Sequence, residues 1–250
     1  MSELNINPGA RPESATTETA AAQSVQSIFN SIAPTYDLLN HLMSMGLDKL
    51  WWRRTASVFE STLRNPAAKV LDICCGTGDQ TGAMQCMRPF NAEPIIGLDF
   101  SARMLERARV KFGRTNIRWT EGDAMHLPFA DNTFDLVTSA FGFRNLTNYA
   151  EGLREIARVL KPGGQVGILE CNQPDGISGA FYRFYLHHGM PFLGGMISGQ
   201  RAAYRYLPDS IARFPRPPQM LPLMREAGFT HEAWDGYLLQ SAGLYRATKA

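Results

Sequence analysis

Val70-Leu71-Asp72-Ile73-Cys74-Cys75-Gly76-Thr77-Gly78-Asp79 is the stretch on which the fold of this chain turns. The run from Lys69 to Ile73 reads as a short buried strand, with Asp72 near its end. Gly76 and Gly78 let the backbone turn tightly and approach a ligand. A helix is expected from about Asp79 to Met87. The next apolar run, Pro94-Ile95-Ile96-Gly97-Leu98, ends in a second carboxylate, Asp99. Strand, glycine turn, helix and a second strand closed by an acid form the layout of a nucleoside-binding α/β unit. An acid at that second strand end can accept both ribose hydroxyl protons.

The turn excludes two common ligand classes. A dinucleotide-binding G-x-G-x-x-G needs a third glycine at position 81, where Thr81 stands, and Gly82 is one residue late. A phosphate loop needs Gly-Lys-Ser/Thr, which is missing. The D-x-x-x-G-x-G pattern instead resembles motif I of class I S-adenosyl-L-methionine-dependent methyltransferases. The resemblance places the methionine part of the cofactor against Asp72, Gly76, Thr77 and Gly78. Cys74 departs from it, since glycine often occupies that position. Taken without the resemblance, the segment is also consistent with a plain strand-to-helix turn.

Glu121-Gly122-Asp123-Ala124 closes a third run beginning near Ile117. In that methyltransferase class a polar residue at this point accepts from the adenine amino group. Asp123 fits as the acceptor, with the Ala124 backbone at the ring edge; a simple Gly-Asp turn is the alternative. Phe134 to Ala140 then reads as a fourth strand.

Composition bounds the rest. At 250 residues, 44% hydrophobic and 19% charged, the chain suits one sizeable globular domain. A net charge of +2 gives no expectation of nucleic-acid binding. No apolar run reaches the roughly 18–20 residues of a bilayer span, and no signal peptide is expected. Residues 1–22, rich in Ser, Thr, Ala and Glu, read as a flexible leader, and 23–250 as a single domain. Cys74, Cys75, Cys86 and Cys171 form no C-x-x-C pair, so neither a zinc site nor a redox dithiol is indicated.

Along the chain, residues 24–62 look helical, with Val25, Ile28, Phe29 and Ile32 on one stripe and Pro34 interrupting it. Helices follow at Tyr36–Met43 and about Leu47–Leu63, giving a helical cap over 23–65. Strands are expected at 69–73, 94–98, 117–120, 134–140 and 165–171, alternating with helices at about 79–87, 101–111 and 148–160. That alternation implies a parallel sheet with its ligand at the carboxyl ends of the strands. A helix at 219–227 and strands at about 229–235 and 238–247 complete a seven-stranded, mostly parallel sheet of Rossmann-like, class I methyltransferase type.

Three further segments narrow the family. They are Phe29-Asn30-Ser31-Ile32-Ala33-Pro34-Thr35-Tyr36-Asp37-Leu38-Leu39-Asn40, then Ala140-Phe141-Gly142-Phe143-Arg144-Asn145-Leu146-Thr147, then Arg158-Val159-Leu160-Lys161-Pro162-Gly163-Gly164 running on to Glu170. With Ala203-Tyr204-Arg205-Tyr206-Leu207-Pro208-Asp209-Ser210-Ile211, they closely resemble the ubiquinone/menaquinone biosynthesis C-methyltransferases of UbiE/MenG type, over roughly residues 24–248. The Lys-Pro-Gly-Gly turn is widespread; the Tyr36-Asp37 and Phe-Gly-Phe-Arg-Asn segments are the specific ones. Ala140 stands where serine is frequent, which removes a hydroxyl contact to the cofactor, and Ser241-Ala242-Gly243 replaces a usual Thr-Gly-Gly or Thr-Ala-Gly.

The resemblance implies methyl transfer from S-adenosyl-L-methionine to a ring carbon of a polyprenylated hydroquinone, demethylmenaquinol in the menaquinone branch. Such a carbon becomes nucleophilic when the neighbouring hydroxyl, which titrates near 10, loses its proton. Arg144 is then expected to stabilise the oxyanion, Asn145 to orient the hydroxyl and Tyr36 to bond it or pack on the ring. Outside the resemblance, Arg144 reads rather as a surface salt bridge and Asn145 as a helix cap. His41 is a further candidate base, and His187-His188 lack the spacing of a metal pair, so no metal is expected. The aromatic run at 181–192, within a lid-like insertion at 177–210, reads either as a core helix or as a lid along the isoprenoid tail. Rival readings are a methyltransferase for another small apolar or phenolic acceptor, a non-catalytic methyltransferase-like scaffold and an NAD-dependent oxidoreductase. A lipophilic acceptor implies weak, reversible contact with the membrane surface by a cytoplasmic protein, transiently at the inner face, and leaves a homo-oligomer open.

Overall fold

The computed structural model describes residues 17–44, 46–174 and 201–250, together with positions 9, 10, 12, 15, 176 and 179. The aromatic run at 181–192, His187-His188 and most of the lid-like insertion lie outside the described residues.

Helix α1 spans Glu18–Ile32 and passes through a 3-10 turn, Ala33–Thr35, into α2, Tyr36–Met43. Thr17 caps α1 by accepting from the Ala20 N–H at 3.1 Å, with Glu18 at the positive end of the helix dipole. The leader expected at 1–22 is therefore too long. Ala21 is buried, and upstream Ala10 is buried too, its N–H donating to the Leu146 carbonyl at 2.8 Å. A Ser/Thr/Ala/Glu composition suits a helix start as well as a leader, so composition misplaced the boundary. The single helix expected at 47–63 is two, α3 Asp48–Val58 and α4 Glu60–Arg64. They break at Phe59, whose buried ring lies where a side chain on Gly167 of the sheet would be.

The sheet comprises β1 Val70–Ile73, β2 Ile95–Asp99, β3 Ile117–Glu121, β4 Phe134–Ala140, β5 Leu160–Cys171, β6 Phe229–Tyr237 and β7 Ala242–Lys249. Its strands lie in the order β3-β2-β1-β4-β5-β7-β6. The first five are mutually parallel, and β7 is antiparallel to both its neighbours. β5 starts earlier than expected because Leu160 pairs with Phe134 before the Lys-Pro-Gly-Gly turn shifts the register. Between β1 and β4 the chain reverses its direction of winding, which opens the ligand crevice of such sheets.

The intervening helices are α5 Asp79–Gln85, α6 Ala102–Phe112 and α7 Tyr149–Val159, with α8 Arg201–Arg213 and α9 Pro217–Glu226 before the final hairpin. On β1, Leu71 and Ile73 face a core with Leu153 and Ile156 of α7 and Met220 and Met224 of α9. Val70 faces the opposite layer with Trp52, Phe59, Leu63 and Met84. The two-residue alternation buries both faces.

Candidate functional site

Asp72, on the α5 side of β1, is fully buried and accepts from Thr81 Oγ1 at 2.5 Å and Thr138 Oγ1 at 2.7 Å. Burial pushes its carboxyl up to about 7, against those two hydrogen bonds, which favour the anion. It ties the end of β1 to α5 and β4 and so fixes where the glycine turn begins. The turn carries positive φ at Cys74 (51°), Gly76 (55°) and Gly78 (87°). A side chain on Gly78 would also meet the Trp119 ring at 2.4 Å, whereas one on Gly76 would meet only Tyr36, at 3.8 Å. Gly82 lies under the Phe112 ring, so its role is packing α5 on α6.

Asp99, 4% exposed, closes β2. Its Oδ2 accepts from the Gly76 N–H and its Oδ1 from the Ser101 N–H, both at 2.8 Å. Burial raises its pKa to about 6, opposed by those two bonds and by the adjacent Phe100 N–H. A carboxylate has about four acceptor positions, so capacity remains for two hydroxyl donors.

Asp99 lines a cavity of about 270 Å³ over the carboxyl ends of β1 to β4. Tyr36, Gly76, Asp123, Ala124 and Asn145 share its wall, and Glu18, Thr19, Ala22 and Phe29 of α1 close it from above. Asp123 is both a turn residue and a wall residue: Oδ1 accepts from the Met125 N–H at 2.9 Å, and Oδ2 pairs with His126 Nδ1 at 3.1 Å. Half-buried Tyr36 stands between this cavity and a smaller one. Burial raises its phenol to about 12, against a hydrogen bond with Asn40 and the nearby Arg144 charge.

Asp72, Thr77, Gln80 and Ala140 line the smaller cavity. Gln80 is 3% exposed, and among the described residues neither its amide oxygen nor its nitrogen has a partner. A donor and an acceptor held together there suit the zwitterionic end of an amino-acid-bearing cofactor. With the glycine cradle and Asp99, the residues present fit S-adenosyl-L-methionine. Thr77 donates to Asp37 Oδ1 at 2.5 Å, and Lys111 bridges Asp37 at 3.1 Å and Asp79 at 2.6 Å. Asp37 of the Tyr36-Asp37 pair thus clasps α2 to the glycine turn.

The Phe-Gly-Phe-Arg-Asn segment follows β4 as a positive φ at Phe141 (56°) and a 3-10 turn, Phe143–Asn145. Arg144 is buried, and it neither forms a surface salt bridge nor lines the larger cavity. Its guanidinium pairs with fully buried Glu170 at 2.9 Å and bonds the Phe141 carbonyl, while its own N–H donates to Glu170 Oε1 at 2.9 Å. Burial works against the guanidinium charge, but Glu170 outweighs it and holds the pKa above the ordinary arginine value. Asn145 does line the cavity, and its Oδ1 accepts from the Tyr206 hydroxyl at 2.9 Å. The cap of α7 is Asn148, accepting from the Glu151 N–H at 3.2 Å, so the helix-cap alternative for Asn145 does not hold.

Tyr206, Glu170, Asp37 and Gln80 carried no role in the sequence reading. All but Gln80 lie in segments quoted for the family resemblance, yet their meaning depends on partners distant in sequence. His41 pairs with Asp48 at 2.9 Å, and neither cavity includes it. Among the described residues no group of three or more His, Cys, Asp or Glu is placed to hold a metal ion.

Residues 17–249 match the model of the ubiE/COQ5 methyltransferase family. The chain is 45% identical over 210 residues to a demethylmenaquinone methyltransferase of Deinococcus radiodurans, covering 83% of this chain and 85% of that one. A demethylmenaquinone methyltransferase of Thermus thermophilus is 44% identical over 206 residues, 81% of this chain and 91% of that one. The solved structure of a SAM-dependent methyltransferase from Thermotoga maritima superposes with a TM-score of 0.63 at 20% identity, covering 90% of this chain and all of that one, a likeness of fold.

Proposed function

The chain belongs to the ubiE/COQ5 methyltransferase family, and from that premise we propose that it methylates a ring carbon of a polyprenylated hydroquinone, demethylmenaquinol, using S-adenosyl-L-methionine. The observation that carries this reading is Asp99 at the wall of the cavity, oriented by two backbone N–H groups and retaining acceptor capacity.

The bound cofactor supplies an electrophilic methyl group on a sulfonium. Asp99 accepts the two ribose hydroxyls, Asp123 and the Ala124 backbone meet the adenine edge, and Gly76, Thr77 and Gly78 with Asp72 behind them shape the cradle for the methionine end. Ala140 borders that cradle. The acceptor hydroxyl loses its proton, and the neighbouring ring carbon takes the methyl group as the methyl–sulfur bond breaks, leaving a neutral thioether; the proton on that carbon then leaves to restore the aromatic ring. Tyr206 engages Asn145 Oδ1, so Asn145 presents its N–H donors and favours the anionic oxygen. Arg144, paired with Glu170, shapes the loop that carries Asn145. Tyr36 borders the ring.

A lipophilic acceptor requires transient contact with the membrane, and among the described residues no helix is long and apolar enough to cross one. The test of the activity is incubation with S-adenosyl-L-methionine and a short-chain demethylmenaquinol, read by mass spectrometry. One added methyl on carbon is expected; binding of the cofactor without methylation of any hydroquinone would refute the acceptor.

A further inference from the structure

The hairpin joining β6 to β7 ends in Leu238 and Leu239, 48% and 75% exposed. Their φ angles are +32° and +50°, and Gln240 follows at +67°. Bulky side chains rarely hold this left-handed conformation, and here the strain is offset by only partial burial, about half of Leu238 and a quarter of Leu239. Folding gives little reason for Leu239 in particular, which stands 75% exposed.

The position of the tip supplies one. β7 is antiparallel to β5, and Ala242 stands opposite both Cys171 and Tyr237. The tip therefore projects from the sheet edge that carries Asp99 and the cavity. Beside it runs the outer face of α3. Arg54 lies 4.5 Å over the ring of Tyr237, the residue before Leu238, and Leu50, 59% exposed, is one helical turn from Arg54. Lys49 and Arg53 are exposed on the same helix, while its Asp48 is buried and paired with His41. Exposed leucines flanked by cations, on the sheet edge that also carries the cavity, match an anionic bilayer: apolar side chains enter the acyl boundary and cations meet headgroups.

We propose that Leu238 and Leu239 at the hairpin tip, with Leu50, Lys49, Arg53 and Arg54 of α3, form the surface by which the protein docks on an anionic membrane. The docked edge faces a lipid-borne acceptor and leaves its tail in the bilayer. This proposal rests on the hydroquinone reading for its purpose, not for its chemistry.

The variant Leu238→Asn with Leu239→Asn tests it, because asparagine tolerates positive φ and the loop is kept. Binding to phosphatidylglycerol vesicles should fall at least about tenfold, the burial of even one leucine being worth that much. Methylation of a long-tailed quinol in those vesicles should fall in parallel, with cofactor affinity and methylation of a short-chain quinol unchanged. Lys49→Glu with Arg53→Glu should abolish the preference for anionic over phosphatidylcholine vesicles. Wild-type protein that ignores anionic vesicles, or an asparagine variant that binds them within twofold of wild type, overturns the docking surface. So does a change of mass in light scattering in place of vesicle binding, which would make the tip an interface between copies. Tip-dependent vesicle binding by a protein that methylates no hydroquinone would leave this inference standing and sink the acceptor assignment.

Discussion

At the scale of single residues, Asp99 is the most exacting position. Asp99→Ala should weaken cofactor binding by about 2–4 kcal/mol, two charge-assisted hydrogen bonds taken conservatively. Its carboxyl lies near 6 in the folded protein, and the anion is the form that accepts two hydroxyls. Affinity should therefore rise as pH increases through about 6 and level off above it; calorimetry between pH 5 and 8 showing a flat profile would contradict this. Tyr206→Phe removes the donor to Asn145 Oδ1 and should lower turnover about tenfold, the worth of one positioned hydrogen bond, with cofactor affinity unchanged. Arg144 behaves differently. Arg144→Ala leaves Glu170 buried without its charge partner, so a stability loss of about 3–5 kcal/mol should accompany any loss of rate. Denaturation would separate the two, and Glu170→Gln combined with Arg144→Ala should recover part of the stability.

Between elements, two loops determine the site by leaning on each other. A side chain on Gly142 would sit 2.4 Å from Cys74 Cβ, so the turn after β4 is seated on the turn after β1. Gly142 has φ of −116°, and its substitution carries no left-handed strain. Gly142→Ala should cost about 1–3 kcal/mol by overpacking alone. Adding Cys74→Gly, at a position with φ of 51°, should return much of it, and thermal unfolding of the four proteins in the cycle would show the coupling. Additive losses would mean that the loops do not determine one another. The same logic explains Asp37: its bond to Thr77 is what makes α2 part of the cradle.

Across the whole molecule, burying carboxylates at the strand ends carries a cost that depends on pH. Asp72 and Asp99 titrate near 7 and 6 when folded, above the ordinary carboxylate value. The folded protein therefore binds more protons than the unfolded chain between about pH 4 and 7, and these two groups make stability fall as pH rises through that window. Asp72→Asn should flatten the decline, since an amide can bond both threonine hydroxyls without a charge. Unfolding free energies measured without cofactor at pH 5 and pH 8 would test it; an unchanged slope would exclude Asp72 as a source.

Much was legible in the chain itself. The alternation of apolar runs, the glycine turn and the strand-end acids depend on local backbone preferences and two-residue periodicity, so the number of strands, the parallel sheet and the wall residue Asp99 followed from sequence, while Asp123 and Ala124 came from the methyltransferase resemblance. The last strand, expected at 238–247, starts only at Ala242 because 238–241 form the hairpin tip. The family segments marked which loops matter. What those loops do was settled by contacts distant in sequence. Arg144 reads as an oxyanion stabiliser or a surface salt bridge until Glu170 pairs with it in the interior, and Asn145 reads as a cap until Tyr206 bonds its oxygen. The start of α1, hidden in a leader-like composition, became visible because it roofs a cavity. Local sequence determines backbone conformation; a side chain's partner, and so its charge and function, depends on which strand ends the sheet brings together.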